Sequence, residues 1–437
     1  MRISASFTVF DIGKFKEDLL LWAQQFEEVV WLDGNGHSNK YGSFDALLAV
    51  DALTTIKTDS YQAFEKLREF QGQAKDYIFG YLSYDLKNDV ERLTSKNHDG
   101  LNFAELFFFQ PKKIIKITGN TVVFQYLMMV DDEIQPDFDL ISNEGDFKEE
   151  KGTVTENIKI KLRIFKDEYF RQVRKMLSHI HRGDIYEANF CQEFYAEDTQ
   201  ISPFKTYQKL NKISEAPFAS FLRVYDNYLL SASPERYLRK DGSKLISQPI
   251  KGTAKRASGV EEDEKLIAAL KLDPKERAEN IMIVDLVRND LSKGALKGSV
   301  VVEELCEVYT FEQVHQMIST VVAHVAPNAN PVDIIRQSFP MGSMTGAPKV
   351  SAMKIIEELE AFKRGLYSGA VGYFTPEGDF DFNVVIRSIA LDAKQGVASA
   401  HVGGAITLLS IPEREYEECL LKAESLLQSA AGSGSNQ

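Results

Sequence analysis

The sequence predicts an α+β protein, because apolar runs of strand length come in clusters and amphipathic helices separate those clusters. A doubly wound parallel sheet would instead alternate strictly between strand and helix. The chain has 437 residues, of which 44% are hydrophobic and 26% charged, an ordinary composition for a globular protein with a large core. It contains neither an internal repeat nor a low-complexity tract.

The N-terminal region, residues 1–150, mixes helix and strand patterns. Apolar residues recur at helical spacing in residues 14–26, which predicts an amphipathic helix. Compact apolar runs predict buried strands at residues 44–53, 77–86 and 122–130. Residues 131–161 are acidic, polar and poor in core residues, so a linker is predicted there.

The remainder of the chain, residues 151–430, is patterned more regularly. An amphipathic helix is predicted from residue 165 to Gly183, and a second helical stretch, residues 261–292, is interrupted near Asp273 and Pro274. Strand patterns occur at residues 185–194, 218–224, 228–233, 237–250, 369–374, 382–391 and 397–408. A final helix is predicted from residue 410, and the small polar residues 431–437 predict a disordered tail.

Composition excludes several classes of function. The net charge of −13 makes binding to nucleic acid or anionic membranes through the overall field unfavourable. The three cysteines, Cys191, Cys306 and Cys419, are widely spaced and predict neither a disulfide framework nor a zinc site. With no signal-peptide pattern and no run of eighteen apolar residues, the sequence predicts a cytoplasmic protein outside the membrane.

Lys251 is the first candidate catalytic residue. It lies between an apolar strand-like run and a turn formed by Gly252 and Thr253. Desolvation there would lower the pKa of its amine toward the nucleophilic range. The alternative is a surface lysine at the end of a strand.

Two pairs of glutamates are candidate metal ligands. Glu276 and Glu279 are three residues apart in a predicted helix, as are Glu415 and Glu418, so each pair shares one helix face. If the two helices faced each other, the four carboxylates would suit Mg²⁺. The alternative is a pair of exposed helices, with Glu418 simply paired with Lys422.

Other residues offer acid catalysis or anion binding. Glu235, at the end of a predicted strand, could be a general acid or a surface turn residue. Arg387, within a predicted strand, requires a ligand carboxylate or a fixed ion pair. Thr345 and Gly346 lie before a predicted helix and could meet an anion. His315 has the pattern of a satisfied core histidine.

Taken in order, nine segments resemble the chorismate-utilising enzymes. They lie at residues 184–192, 231–238, 248–256, 276–291, 339–349, 367–374, 382–389, 401–406 and 413–423. The runs at residues 41–52 and 79–86 resemble the amino-terminal part of the same family. The resemblance implies one α+β unit of two packed antiparallel β-sheets flanked by helices, like anthranilate synthase component I, with the N-terminal region contributing strands. Residues 151–430 would be the chorismate-binding catalytic domain.

Within the family, the chain most resembles the aminodeoxychorismate synthase component I group. The run Pro249–Thr253 decides this, because anthranilate synthases carry alanine where this chain has Lys251. The resemblance implies that Lys251 attacks carbon 2 of chorismate while Glu235 assists departure of the 4-hydroxyl, and that ammonia then adds at carbon 4. The product, 4-amino-4-deoxychorismate, belongs to the para-aminobenzoate branch of folate synthesis.

The resemblance also assigns roles to the other candidates. Glu279 and Glu418 correspond to the principal Mg²⁺ ligands, supported by Glu276 and Glu415. Arg387 and Tyr367 correspond to the pair that grips the enolpyruvyl carboxylate. Further positions in contact with substrate are Lys422, Gly252, Thr253, Thr345, Gly403, Gly404 and His315.

The chain departs from its relatives at two positions. Water-adding relatives have a lysine base where this chain has Glu187, and nitrogen-adding relatives commonly have glutamine there; many relatives have a third glycine where this chain has Ala405. The resemblance implies a separate glutamine amidotransferase subunit as the ammonia source, because no glutaminase nucleophile motif surrounds any cysteine. Anthranilate synthase component I and a non-catalytic chorismate-binding subunit remain the alternatives.

Overall fold

The structure is a computed structural model, and it describes residues 1–37, 40–143, 158–311 and 314–430. The strands are β1 (Arg2–Thr8), β2 (Glu28–Asp33), β3 (Ala46–Thr58), β4 (Ile78–Leu82), β5 (Leu106–Thr118), β6 (Thr121–Leu127), β7 (Lys161–Leu162), β8 (Glu187–Ala196), β9 (Phe218–Val224), β10 (Asn227–Ser233), β11 (Arg236–Asp241), β12 (Lys244–Gln248), β13 (Ile250–Lys255), β14 (Val301–Thr310), β15 (Val314–His324), β16 (Gly346–Ala347), β17 (Ala370–Phe374), β18 (Phe380–Val384), β19 (Ser388–Asp392) and β20 (Val397–Ile406).

The α-helices are α1 (Ile12–Ala23), α2 (Ala63–Ala74), α3 (Lys87–Val90), α4 (Ile134–Ser142), α5 (Lys166–Arg182), α6 (Pro203–Ser214), α7 (Val260–Leu272), α8 (Pro274–Ser292), α9 (Pro331–Ser338), α10 (Lys349–Leu359) and α11 (Pro412–Ala430). Short 3₁₀ turns occur at Tyr84–Leu86, Met128–Glu133 and Gly342–Met344. No helix of the described ranges has both the length and the apolar composition needed to cross a membrane.

The strands are all joined by antiparallel pairing, and together they form two packed layers. The first layer runs β1-β6-β5-β3-β2-β9-β10-β19-β20-β8, with β7 and β16 on the outer side of β8. The second layer runs β3-β5-β4-β17-β18-β11-β12-β15, and β15 also pairs with β13 and β14. The long strands β3 and β5 belong to both layers.

Apolar side chains lie between the layers and on both outer faces. The inner core joins Val30 and Leu222 of the first layer to Phe79 and Tyr373 of the second. The outer face of the first layer is covered by α1, α4, α5, α6, α10 and α11, and that of the second by α2, α8 and α9. The predicted α+β fold, two packed antiparallel sheets flanked by helices, is confirmed.

The N-terminal strands pair directly with later ones. β2 pairs with β9, and β4 pairs with β17, so each layer contains strands from both halves of the chain. The predicted boundary at residue 150 and the predicted tail, residues 431–437, lie outside the described residues.

The linker predicted at residues 131–161 is wrong for its first part. Residues 134–142 form α4, because Ile134, Phe138 and Ile141 recur at helical spacing and pack into the core of the first layer. Asp137 on this helix also pairs with Lys113 at 2.6 Å. The helix was missed because the segment is acidic overall and its three core-packing apolar residues are widely spaced. Of the predicted linker, residues 144–157 lie outside the described residues.

The continuous strand predicted at residues 382–391 is also wrong. β18 ends at Val384 and β19 begins at Ser388, and Arg387 between them has a positive φ of 52°. β18 pairs with β11 and β17 in the second layer, whereas β19 pairs with β10 and β20 in the first. The chain therefore crosses between layers here, and the apolar run is continuous because both strands are buried.

Candidate active site

Two crossings between the layers position the central residues of the candidate site. Glu235 lies where β10 of the first layer gives way to β11 of the second, and Arg387 lies at the reverse crossing from β18 to β19. The crossings are hydrogen-bonded to neighbouring strands, because the Val384 amide donates to the Glu235 carbonyl and the Ala232 amide donates to the Arg387 carbonyl, both at 3.0 Å. A carboxyl group and a guanidinium are thereby fixed at one end of the sandwich.

Glu235 has the environment of a carboxylic acid that retains its proton. It is 4% exposed, and burial raises its pKa to about 7, with Ser343 and Lys251 acting in the opposite direction. Such a group has the protonation that general acid catalysis needs near neutral pH. Glu235 is therefore buried and is not a surface turn residue, the alternative that its sequence position left open.

Lys251 lies in a bulge of β13. The pairing with β15 shifts register between Ile250 and Thr253, and Gly252 has a φ of +88° that favours glycine. The Lys251 carbonyl accepts a weak hydrogen bond from Asn280 at 3.5 Å. The side chain is half-buried rather than fully enclosed, and it makes no ion pair with any described residue.

The charge of Lys251 nevertheless acts within the candidate site. It favours the ionised forms of three carboxyl groups, those of Glu235, Glu187 and Glu418. Lys251 therefore lies near the proposed acid and near one of the predicted metal ligands. This arrangement is what a nucleophilic amine beside a general acid requires.

The two glutamate pairs, one on α8 and one on α11, are within electrostatic reach of each other. Burial raises the pKa of Glu276, and the charges of Glu279 on its own helix and Glu418 on the other helix raise it further. Burial also raises the pKa of Glu415, with Glu418 contributing. Four carboxylates within electrostatic reach of one another form a strongly acidic cluster.

Lysines from both helices lie within this cluster. All four glutamates raise the pKa of Lys275 against the opposing effect of burial, and its ammonium lies 3.7 Å from the Glu279 carboxylate. Lys422 contacts Glu418 at 2.5 Å, as its sequence spacing predicted. The Glu418 side chain is 46% exposed, and the lysines around it hold its pKa below the usual value against partial desolvation.

The donor set fits Mg²⁺. In the described part of the chain, no three His, Cys, Asp or Glu side chains converge on one metal position. Mg²⁺, however, is commonly held by one or two carboxylates together with waters and substrate oxygens. Glu279 and Glu418, on facing helices and surrounded by further acidic groups, satisfy that requirement.

Glycines allow the backbone to approach these carboxylates. A side chain at Gly252 would come within 3.2 Å of Glu276, and one at Gly404 within 3.4 Å of Glu415. The Lys422 ammonium donates to the Gly403 carbonyl at 2.9 Å, so β20 is tied to α11 beside the cluster. Replacing either Gly252 or Gly404 would fill this space.

Arg387 is available to bind an anion. Its guanidinium has neither an ion pair nor a hydrogen bond with the residues that the structure describes, so the alternative of a fixed ion pair is not observed. Burial lowers the pKa of Arg387, while Tyr367 and Glu418 favour the charged form. Tyr367 is itself buried and stacks on His401 with ring centroids 5.4 Å apart.

Two predicted substrate-binding residues are already engaged elsewhere. The Thr345 hydroxyl donates to the carbonyls of Met341 and Gly342 at 3.3 and 3.2 Å. His315 is fully buried, and its ring nitrogens are hydrogen-bonded with Asp263 at 2.8 Å and Thr310 at 3.0 Å. The structure thus places His315 as a satisfied core histidine. Thr253 is exposed on β13.

Three further residues belong to the site. Lys275 lies among the glutamates, and the Ser343 hydroxyl lowers the pKa of Glu235. Glu187 is 3% exposed, and burial raises its pKa, with Lys251 opposing and Glu279 adding to that shift. The four-residue spacing of Lys275 and Glu279 on a helix could have predicted that Lys275 lies in the site. Ser343 lies in a turn, where no regular spacing predicts the position of a side chain.

Comparison with known proteins agrees with this arrangement. A family model described as chorismate binding enzyme matches residues 27–428. Aminodeoxychorismate synthase of Streptomyces griseus is 44% identical over 271 residues, which are 62% of this chain and 37% of that protein. The chain therefore spans little more than a third of that relative.

Two other similar proteins carry the anthranilate synthase name. Anthranilate synthase component 1 of Thermus thermophilus is 33% identical over 363 residues, covering 80% of this chain and 76% of that protein. The crystal structure of anthranilate synthase component I from Streptococcus pneumoniae has a TM-score of 0.75 at 25% identity, covering 90% of this chain and 94% of that one. From the family match over residues 27–428, the chain belongs to the chorismate-binding enzymes.

Proposed function

We propose that this chain converts chorismate and ammonia to 4-amino-4-deoxychorismate, the reaction of aminodeoxychorismate synthase component I in the para-aminobenzoate branch of folate synthesis. The observation that carries the proposal is the amine of Lys251 in the β13 bulge, within electrostatic reach of the protonated Glu235 and of Glu418. The 44% identity to the Streptomyces griseus aminodeoxychorismate synthase supports it.

The first step joins Lys251 to the ring. The lone pair of the Lys251 amine forms a bond to carbon 2 as both ring double bonds shift and the bond from carbon 4 to oxygen breaks. Glu235 gives its proton to the departing oxygen, which leaves as water. A buried acid with a pKa of about 7 suits this role, since a large fraction is protonated at neutral pH.

The second step replaces the lysine with ammonia. The ammonia lone pair forms the bond to carbon 4, both ring double bonds shift back, and the electron pair of the carbon 2–nitrogen bond returns to Lys251. Overall, chorismate and ammonia give 4-amino-4-deoxychorismate and water. The added nitrogen gives its excess proton to the Glu235 carboxylate, so the protein is left with its acid and its amine restored for another cycle.

Anchoring residues hold the two carboxylates of chorismate. Arg387, whose guanidinium has no partner among the described residues, would bind one carboxylate by charged hydrogen bonds, with Tyr367 beside it. Mg²⁺ held by Glu279 and Glu418, with Glu276 and Glu415 in support, would bind the other carboxylate and spread its negative charge. Lys422, Gly403 and Gly404 form the adjoining wall.

We propose that a separate glutamine amidotransferase subunit supplies the ammonia. The name of the Thermus thermophilus relative, anthranilate synthase component 1, supports an assembly of more than one component. The three cysteines, the residue type that serves as glutaminase nucleophile, are all buried. Free ammonium would replace the partner less efficiently.

Anthranilate synthase activity is the second candidate. Two similar proteins carry that name, and one covers 80% of this chain. That reaction adds nitrogen at carbon 2, the carbon that Lys251 itself occupies in the proposed mechanism. Lys251 therefore favours the 4-amino product, and a non-catalytic chorismate-binding role is disfavoured because acid, amine and acidic cluster are all present.

Product identification tests this proposal. Purified protein is incubated with chorismate, Mg²⁺ and ammonium, and the products are separated and identified by mass and by conversion with a lyase that releases para-aminobenzoate. We expect 4-amino-4-deoxychorismate. Anthranilate as the product would assign the second candidate. If neither product forms in the presence of Mg²⁺, both enzymatic assignments are contradicted.

A further inference from the structure

A cavity that the proposed mechanism does not use lies at one end of the inner core. It has about 540 Å³ of empty space, part of which is open to solvent. Its wall combines apolar side chains of the inner core, such as Phe103, Leu229 and Val385, with several charged and polar groups. Among the described residues, the cavity shares Tyr367 alone with the candidate active site. An apolar wall with a few polar groups is the usual form of a small-molecule site.

One side chain that lines this cavity has a buried polar atom without a partner. His401, on β20, is 7% exposed, and its Nε2 has no hydrogen-bond partner among the described residues. Its ring contacts the rings of Phe362 and Tyr367, whose centroids are 5.0 and 5.4 Å away. Because buried polar atoms are nearly always hydrogen-bonded, this nitrogen requires a water molecule or a ligand.

The surroundings of His401 make Nε2 a hydrogen-bond acceptor. Ser399 donates its hydroxyl proton to the Glu193 carboxylate at 2.8 Å. Toward His401 Nδ1, 3.5 Å away, the same hydroxyl can only accept, so Nδ1 carries the ring proton. Burial lowers the pKa of His401, which keeps the ring neutral near pH 7 and leaves a lone pair on Nε2.

A buried carboxyl group lines the same cavity. The Glu105 side chain is 15% exposed, and burial together with the charge of Asp85 raises its pKa to about 7. Ser83 donates to Oε2 at 2.5 Å, while Oε1 lies 3.8 Å from the Lys363 ammonium, beyond hydrogen-bond distance. A cation that entered the cavity would favour the ionised carboxylate. Glu105 can therefore supply a counter-charge when such a ligand is present.

The positive groups on the wall are already engaged. Arg364 uses all five of its N–H donors, on the Glu360 carboxylate, the Ser368 hydroxyl and two backbone carbonyls. The Lys363 ammonium lies 3.4 Å from the Asp99 carboxylate. The groups left open to a ligand are acceptors, so a ligand that donates hydrogen bonds fits this cavity better than an anion does.

We propose that this cavity binds a small organic amine, whose ammonium group donates to His401 Nε2 and pairs with Glu105 while its apolar body contacts the inner core. A neutral alcohol could use the same acceptors but would lack the ionic attraction. A carboxylate ligand would be repelled by Glu105 and Glu193. The inference does not depend on the proposed function, because binding is measured directly.

Calorimetric titration of the full chain with three probes tests the chemistry of the site. Benzylamine, benzyl alcohol and benzoate have the same ring and differ in charge. Near neutral pH we expect benzylamine to bind at least about tenfold more tightly than benzyl alcohol, the effect of a charge-assisted hydrogen bond, and benzoate not to bind. Equal affinity for benzylamine and benzyl alcohol, or no binding of benzylamine, would overturn the proposal and leave water as the occupant.

Two variants test whether the amine binds in this cavity. Glu105→Gln removes the counter-charge and should weaken benzylamine binding at least about tenfold, while the affinity for benzyl alcohol changes less than about threefold. His401→Phe keeps an aromatic ring beside Tyr367 and removes the acceptor, so it should also weaken benzylamine binding about tenfold. Thermal unfolding of each variant reports whether the fold is intact, and unchanged benzylamine affinity in both folded variants would reject the site.

The acidic cluster of α8 and α11 is another place where an ammonium ion could bind. Glu279→Gln is therefore the control for that cluster, and Glu69→Gln, at an exposed position of α2, is the control for a simple loss of charge. Neither should change the affinity for benzylamine by more than about twofold. If Glu279→Gln weakens benzylamine binding and folded Glu105→Gln does not, the amine binds at the acidic cluster and the inference is wrong.

Discussion

At the residue scale, the proposed chemistry requires Glu235 to be a buried acid that keeps its proton. Burial raises its pKa to about 7 from the usual 4.5. The folded protein therefore binds this proton more tightly than the unfolded chain does. The stability that follows is present below pH 4.5 and is lost as the pH rises through 7.

Glu235→Gln should remove activity and add stability at alkaline pH. The neutral amide carries no cost of burying a charge, a cost of about 3 kcal/mol once the wild-type carboxyl is ionised. Denaturant unfolding at pH 5 and pH 8 should show the variant gaining on the wild type at the higher pH. An identical stability difference at both pH values would mean that the Glu235 pKa is ordinary.

Arg387 is expected to bind substrate rather than to stabilise the protein. Its backbone is left-handed with a φ of 52°, so Arg387→Asn is the suitable variant, because asparagine tolerates that conformation. Losing charged hydrogen bonds should raise the KM for chorismate by roughly 10- to 100-fold. A normal KM combined with lower thermal stability would instead indicate a structural role.

At the element scale, the ends of two helices assemble the acidic cluster. Asp273 caps α8 by accepting from the amides of Lys275 and Glu276 at 2.8 and 3.0 Å, which fixes where the helix begins. Glu276 and Glu279 therefore fall in its first two turns. Glu415 and Glu418 occupy the first two turns of α11, so carboxylates at two helix N-termini face each other.

Glu279→Gln should weaken Mg²⁺ binding and reduce turnover together. The amide keeps the size of the side chain and removes the negative charge that a hard cation requires. Titration of activity with Mg²⁺, and calorimetry with the metal alone, would measure the change. Glu417→Gln, an exposed neighbour on α11, is the control, and equal Mg²⁺ affinity in the two variants would reject the ligand role of Glu279.

The sequence predicted several of the helix boundaries. The break between α7 and α8 at Asp273 and Pro274, and the end of α5 at Gly183, follow from local capping chemistry. The break before Arg387 could not be read, because the apolar run continues while the chain changes layers. Nor could the direction of His315, which depends on Asp263 reaching it from α7.

At the scale of the whole molecule, the site exists because two layers share their strands. Glu235 and Arg387 each lie where the chain crosses between the layers, and Glu187 lies where β8 begins. The sequence resemblance predicted the sandwich and grouped most of the site residues. It did not reveal α4, whose apolar stripe lies within an acidic stretch.

A fragment of residues 158–430 should not fold alone. β9 would lose its neighbour β2, and β17 would lose β4, leaving interior edges of both layers unpaired and the inner core open. Circular dichroism and denaturant titration of the isolated fragment would show a broad, non-cooperative transition or aggregation. A sharp, reversible unfolding transition would mean that the N-terminal region is a separate unit.

The most direct test of the central claim compares Lys251→Ala with Lys255→Ala, an exposed lysine in the same strand. Each protein is given chorismate, Mg²⁺ and saturating ammonium, and the rate of 4-amino-4-deoxychorismate formation is measured. The account predicts that Lys255→Ala works at the wild-type rate and that folded Lys251→Ala makes none of this product. A Lys251→Ala protein that forms the 4-amino product at the wild-type rate would contradict it.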